Sequence, residues 1–373
     1  GEPAPPPGVA DDKARMRRFA FESERPVRYL ACVIARLRDV ESRHINTGTP
    51  PEGVMLYTRA NPRQAGRARN MSERAAEIFG FYAKLVGDAP YPSLTLAFTE
   101  RDVPGGHSPA YFAVVDQPVQ AGLTWRNDPV NFDNYPYFFT AHEIAHQWWG
   151  QAVGWKNYHE QWISEGFAQY FAALFAERER GPEQFASVLR QMRRTAIETS
   201  PQGPVYLGYR LGHIRNESRV FRALVYNKGA MVLHMLRRLI GDERFFAGLR
   251  DFYATWQFHK AGTDDFRAAM EKAGGRPLER FFERWIFGSG IPKVRFTSRV
   301  EGDALRVRFE QTGEVFDIPI AVTITYRDGS SQTVYVRVTE KITEQAIALK
   351  GAVRAVEPNK DHGALVEIAS YGR

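Results

Sequence analysis

Two histidines four residues apart, with a glutamate between them, open the chemistry of this chain: His142-Glu143-Ile144-Ala145-His146. A helix turns once per 3.6 residues, so positions four apart share a face and can point two imidazoles at one ion. Glu143 follows His142 directly and is placed to reach a water on that ion rather than bind it. Eighteen residues separate His146 from Glu165, which must therefore arrive from a second element packed against the first. Two histidines and one carboxylate with an open fourth position form the pattern of a catalytic zinc site, whereas structural zinc sites are usually closed by cysteine and histidine. The expected ligands are His142, His146 and Glu165, holding one Zn2+, with Glu143 as general base.

The surroundings supply the elements this arrangement needs. Phe138-Phe139-Thr140-Ala141 leads into the histidines and Gln147-Trp148-Trp149-Gly150 follows, an apolar helix. Ser164-Glu165-Gly166-Phe167-Ala168-Gln169-Tyr170-Phe171 starts a second apolar helix that runs to the Gly181-Pro182 stop. From Tyr137 to Gly288 the pattern is helical, with further helices at about 182–199, 217–240, 243–257, 264–273 and 277–287. Upstream, strands are expected at 26–36, 54–58, 91–98 and 105–115, with a helix of about twenty residues capped by Ser72. Beyond Pro292 the period switches to two, and Arg327-Asp328-Gly329 signals a hairpin. The proline-bounded loop 201–209 either lines a cleft or caps a helix pair.

These motifs resemble the aminopeptidase N family of zinc metallopeptidases (gluzincins). His142 to Gly150 is similar to its zinc helix, and Trp162-Ile163-Ser164-Glu165-Gly166-Phe167-Ala168 to its second zinc motif. Val225-Tyr226-Asn227-Lys228-Gly229-Ala230 resembles the segment with its catalytic tyrosine. The resemblance implies an α+β fold in which a thermolysin-like catalytic domain, a small sheet plus a helical lobe, occupies 51–290. Residues 1–50 would be a linker and the remnant of an N-terminal β-domain, and 291–373 a C-terminal antiparallel β-sandwich. It also implies Tyr226 as donor to the oxyanion. Gly229, three residues on, leaves room for the helix to approach its neighbours closely. His159 and Glu160 are placed to support the zinc histidines. His107, His159, His213, His234 and His259 lie outside ligand spacing.

The chain departs from the family at one place. Its aminopeptidases carry Gly-x-Met-Glu-Asn on the strand beside the substrate, and the glutamate grips the free amino terminus. Gly106-His107-Ser108-Pro109-Ala110 stands there instead, and Pro109 offers neither charge nor N–H. Gly105, Gly106, His107 and Ser108 are thus the candidate substrate-binding residues of a peptide or protein substrate. Three functions follow: an aminopeptidase with altered amino-terminal recognition, using Glu100 or Asp102 as anchor; a zinc endopeptidase or a peptidase for blocked or modified peptides; and an inactive peptide-binding homologue. The complete set of His142, Glu143, His146, Glu165 and Tyr226 argues against the last.

Bulk properties restrict the rest. With 373 residues and 43% hydrophobic content the chain can build proper cores in two or three domains. Net charge is +7, with basic residues dispersed rather than blocked, and no nucleic-acid motif accompanies it. No run of eighteen apolar residues occurs, so no transmembrane segment is expected. The single cysteine, Cys32, sits in an apolar alternating stretch and reads as a core residue. The Pro-rich start at Gly1–Gly8 reads as a linker, and the setting favoured is a bacterial cell envelope or secretion over cytoplasm. Oligomeric state is left open.

Overall fold

The computed structural model describes residues 20, 22–48, 53–100, 105–117, 135–214 and 217–370. The Gly1–Gly8 linker, part of the turn after Thr47, and Asp102 lie outside them. Strands β1 (Arg38–Ile45) and β2 (Val54–Ala60) pair antiparallel, and helix α1 (Ala65–Val86) packs on both. Then come β3 (Ser93–Glu100), β4 (Gly105–His107) and β5 (Phe112–Gln117), closing a five-stranded sheet in the order β1-β2-β3-β5-β4. Strands β2, β3 and β5 run parallel, while β4 folds back antiparallel on β5 and, among the described residues, has no strand partner on its other edge.

The helical part follows: α2 (Phe138–Ala145), β6 (Val153–Trp155), α3 (Trp162–Thr199), α4 (Ser218–Phe221), α5 (Gly229–Ile240), α6 (Asp242–Trp256), β7 (His259–Ala261), α7 (Thr263–Gly274) and α8 (Glu279–Phe282). Helix α3 breaks inside, at Gly181 with φ 82°, immediately before Pro182, whose ring cannot sit in an unbroken helix. Residues Arg222–Lys228 form a π-helical turn between α4 and α5. Trp148, Trp149 and Trp162 are completely buried: Trp149 packs on Phe167 and Phe252, Trp162 on Phe167, and Trp148 on Phe79 and Tyr82 of α1. Strands β8 (Lys293–Glu301), β9 (Ala304–Gln311), β10 (Ile318–Tyr326), β11 (Ser331–Val338), β12 (Ile342–Ala348), β13 (Val353–Pro358) and β14 (Glu367–Ser370) build two further sheets, β11-β10-β13 and β12-β9-β8-β14. Arg193 on α3 donates to the carbonyls of Ala364 (2.9 Å) and Val366 (2.5 Å), tying this part to the helices. No helix among the described residues is long and apolar enough to cross a membrane.

The structure corrects several expectations. Residues 26–36 are not a strand: the ladder begins at Arg38, because only from there does β2 offer a partner. Cys32 is consequently exposed rather than in the core, as are Leu30 and Ile34. Helix α1 starts seven residues before Ser72, which is no cap; it is buried and accepts a hydrogen bond from Thr58 (2.9 Å). The single strand expected over 105–115 is a hairpin, turned at Tyr111 with φ 72°. Strand β14 pairs parallel with β8, so the C-terminal sheets are not wholly antiparallel. The hairpin at Arg327-Asp328-Gly329 is present, with Gly329 at φ 87° joining β10 to β11.

Candidate active site

His142 and His146 lie on and just past the C-terminal turn of α2, and Glu165 on the first turn of α3. The two helices pack through apolar faces, which brings the three side chains together. Glu165 Oε2 is 3.2 Å from Nε2 of His142 and 3.2 Å from Nε2 of His146, and the two nitrogens are 3.1 Å apart. Tetrahedral bonds of about 2.05 Å to zinc would separate the donor atoms by about 3.3 Å. Two imidazole nitrogens facing each other across 3.1 Å, with a carboxylate oxygen on both, form a donor set that a cation satisfies. The residues therefore fit the ion.

Burial opposes charge on His146, but Glu165 and then Glu143 outweigh it and push its pKa up to about 9. Burial likewise opposes ionisation of Glu165, yet His146 and His142 hold it well below the usual carboxylate range. Nδ1 of His146 lies 3.0 Å from the Trp149 carbonyl and donates to it, so in the neutral ring Nε2 is the nitrogen left to bind a cation. Ser164 Oγ joins the same pair, 3.2 Å from each. His159 and Glu160, expected to support the histidines, do not reach them. His159 turns to the Tyr206 carbonyl (3.0 Å), and Glu160 accepts from Thr263, capping α7 rather than the site. Ser164 holds that supporting position, one residue before Glu165.

Glu143, buried at 6% exposure, accepts a short hydrogen bond from the Ser108 hydroxyl. Gly106 presses on the same carboxylate: a Cβ there would lie 2.5 Å from Glu143 Oε1. The β4 strand and its turn thus clamp Glu143 from the sheet side. Tyr226 comes from the π-helical turn 222–228, pressed onto α3 because Gly229 and Gly166 meet without side chains; a Cβ on Gly229 would lie 3.3 Å from the Gly166 Cα. The Tyr226 ring lies parallel to that of His142 at 5.6 Å, and its hydroxyl is bonded to Glu165. Burial first, then the two glutamates, raise its pKa well above the ordinary phenol value, so it stays protonated.

These groups share one cavity of about 380 Å³, lined also by Gly105, Gly106, His107 and Ser108. The lining residues that carried no motif include Arg28 and Tyr29 from the segment before β1. Pro109 has its carbonyl on Gln147 Nε2 (3.0 Å), structural use of the position. Glu100 is outside the cavity lining and pairs with Arg63 at 3.0 Å. The loop 201–209 contributes nothing to the lining; Tyr206 and Tyr209 stack on His159 and Tyr158.

Two histidines and a glutamate from a helix pair, with a second glutamate held beside them, are arranged as in a metallopeptidase site. Residues 137–285 match the peptidase family M1 domain. Aminopeptidase M1-C of Oryza sativa subsp. japonica is 24% identical over 288 residues, 76% of this chain and 32% of that protein. Aminopeptidase N of Lactococcus lactis subsp. lactis is 29% identical over 196 residues, 48% of this chain and 22% of that one. The crystal structure of Legionella pneumophila aminopeptidase A in complex with aspartic acid has a similar fold, with TM-score 0.68 and 16% identity over 91% of this chain and 39% of that chain. Residues 137–285 are thus similar to the catalytic part of the M1 aminopeptidases, and the chain spans about a third or less of the length of the two curated relatives.

Proposed function

We propose that this chain hydrolyses peptide bonds with one zinc ion held by His142, His146 and Glu165, and recognises the substrate amino terminus differently from its relatives. In this reading 51–290 is a thermolysin-like catalytic domain and 291–373 a C-terminal sandwich. Zinc, when bound, supplies Lewis acidity that acidifies a water and polarises a carbonyl. Glu143 removes the water's proton and later returns it to the leaving amine. Ser108 fixes the Glu143 carboxylate through its hydroxyl, and Gly106 leaves the room for it. Tyr226, protonated across the physiological range, donates to the developing oxyanion. The single observation that carries the reading is the joint placement of Glu143 and Tyr226 around the His142, His146 and Glu165 donor set in one cavity.

Altered amino-terminal recognition rests on the acids of that cavity. Among the described residues its lining carboxylates are Glu143 and Glu165, the first committed to Ser108 and the second to the histidines. Neither is spare for an α-ammonium, and Pro109 supplies none. The test is cleavage of one peptide in free and N-acetylated forms, with products identified by mass. Acetylation is expected to reduce cleavage by less than about tenfold, since the charge-assisted contact it would remove, about 1.5–3 kcal/mol, is missing. Complete loss on acetylation would return the chain to ordinary aminopeptidase specificity. Near-normal cleavage by Glu143→Gln would rule out the hydrolytic mechanism altogether.

A further inference from the structure

The segment before β1 crosses the mouth of the catalytic cavity and is pinned there at three residues. The Arg25 amide donates to the Tyr111 hydroxyl (2.8 Å). The Tyr29 hydroxyl receives Gln151 Nε2 (3.2 Å) and lies 3.3 Å from His107 Nε2, with the two rings stacked. Between them, Arg28 lays its guanidinium 4.1 Å above the centre of the Trp155 ring and donates from Nη1 to the Gly150 carbonyl (2.5 Å). That carbonyl belongs to the residue after Trp149, whose own carbonyl orients the metal-site His146. Arg28 is thereby fixed within the cavity wall rather than trailing in solvent.

What this guanidinium lacks is an anion. It forms no ion pair with a carboxylate among the described residues, and its electrostatic neighbours are the phenols Tyr29 and Tyr91. Of its five N–H donors, one finds the Gly150 carbonyl, and buried Nε finds no partner. Burial lowers its pKa from the ordinary arginine value, the sign of a cation with too little compensation. The ring of Trp155 offsets part of that cost but does not neutralise the charge. Among the described lining residues the other arginine is Arg222, and the carboxylates are Glu143 and Glu165. With a divalent cation on the two histidines, these described lining groups carry a net positive charge, which favours a carboxylate and disfavours an ammonium.

We infer that Arg28, seated on Trp155, is a subsite for a carboxylate of the peptide substrate. This rests on the cavity being the peptide site proposed above, and it gives that site its substrate class: peptides with an acidic side chain or a free C-terminus near the cleaved bond. The planar fork of arginine matches a carboxylate with two parallel hydrogen bonds, which a lysine ammonium cannot reproduce.

Binding is measured by calorimetry in the zinc-loaded Glu143→Gln protein, so that no turnover is needed. Three N-acetylated tetrapeptides serve as probes: a neutral C-terminal amide, the same amide with glutamate for an internal glutamine, and the neutral sequence with a free C-terminal carboxylate. At least one anionic peptide is expected to bind tenfold or more tighter than the neutral amide, and which one identifies the source of the carboxylate. Adding Arg28→Met should shrink that preference below twofold with the affinity for the neutral amide unchanged, which also shows that the site is still folded. Arg28→Lys should recover only part of it. Equal affinity for all three peptides, no measurable binding of either anion, or a preference that survives Arg28→Met and disappears in Arg222→Met would overturn the inference. Failure of the wild-type protein to cleave any peptide would sink the hydrolytic reading and leave this binding result standing.

Discussion

Gly106→Ala should lower the proposed hydrolysis about a hundredfold while leaving zinc binding unchanged. The added Cβ would lie 2.5 Å from Glu143 Oε1, 2.6 Å from its Cδ and 2.7 Å from Phe139 Cζ. Comfortable contacts between such atoms begin near 3.5 Å, so the shortfall is about 1 Å. Of the neighbours, the carboxylate is the end of a flexible side chain and gives way first, leaving its hydrogen bond to Ser108. A general base displaced by about 1 Å costs roughly 10² in turnover, or about 2.7 kcal/mol of barrier. None of the three donor residues is among the atoms met, so zinc should stay near one per chain. The assay is kcat/KM on an acetylated peptide together with elemental analysis. Gly66→Ala is the control, since a Cβ there meets nothing within 4 Å. Turnover within threefold of wild type in zinc-loaded Gly106→Ala would show that the clamp on Glu143 has no catalytic role.

Other consequences can be checked in the same preparations. His146→Ala and Glu165→Ala should each lose stoichiometric zinc while the circular dichroism spectrum is kept; full zinc in both would remove these residues from the metal site. Tyr226→Phe should lower kcat by about 10² to 10³ with metal content unchanged, the scale of one oxyanion donor. His234 supplies a pH dependence of stability. It is buried, hydrogen-bonded through Nδ1 to Tyr170 (3.2 Å), and its pKa is held well below 6.5 by burial and then by Arg238 and Arg237. The unfolded chain therefore binds this proton more readily, so stability is unaffected above pH 6.5 and falls below it. Urea midpoints of the wild type should therefore fall between pH 7.5 and pH 5.5, and those of His234→Gln should lack this component. Equal pH slopes in the two proteins would contradict the assignment.

Features encoded over a few neighbouring residues were legible without coordinates. The i, i+4 histidines share a face in any helix, and the apolar runs around His142 and Glu165 specify two helices that must bury those faces together. Gly181-Pro182 ends a helix wherever it stands, and Gly229 marks a close approach. Contacts between distant segments were another matter. Alternating apolar residues at 26–36 look like a strand, but a strand exists only where a second one offers hydrogen bonds, and β2 meets the chain from Arg38 onward. Being near Glu165 in sequence did not bring His159 to the zinc histidines, because the turn after Asn157 sends it to Tyr206 while Ser164 takes the place beside His146. The bond from Ser108 to Glu143 spans 35 positions and depends on β4 folding back along β5. Arg28 reaches Gly150 across 122 positions. The local sequence thus determined which residues can hold a metal and move a proton. Tertiary packing decided what steadies the base and which charge faces the substrate, since pairings across such distances have no period to read.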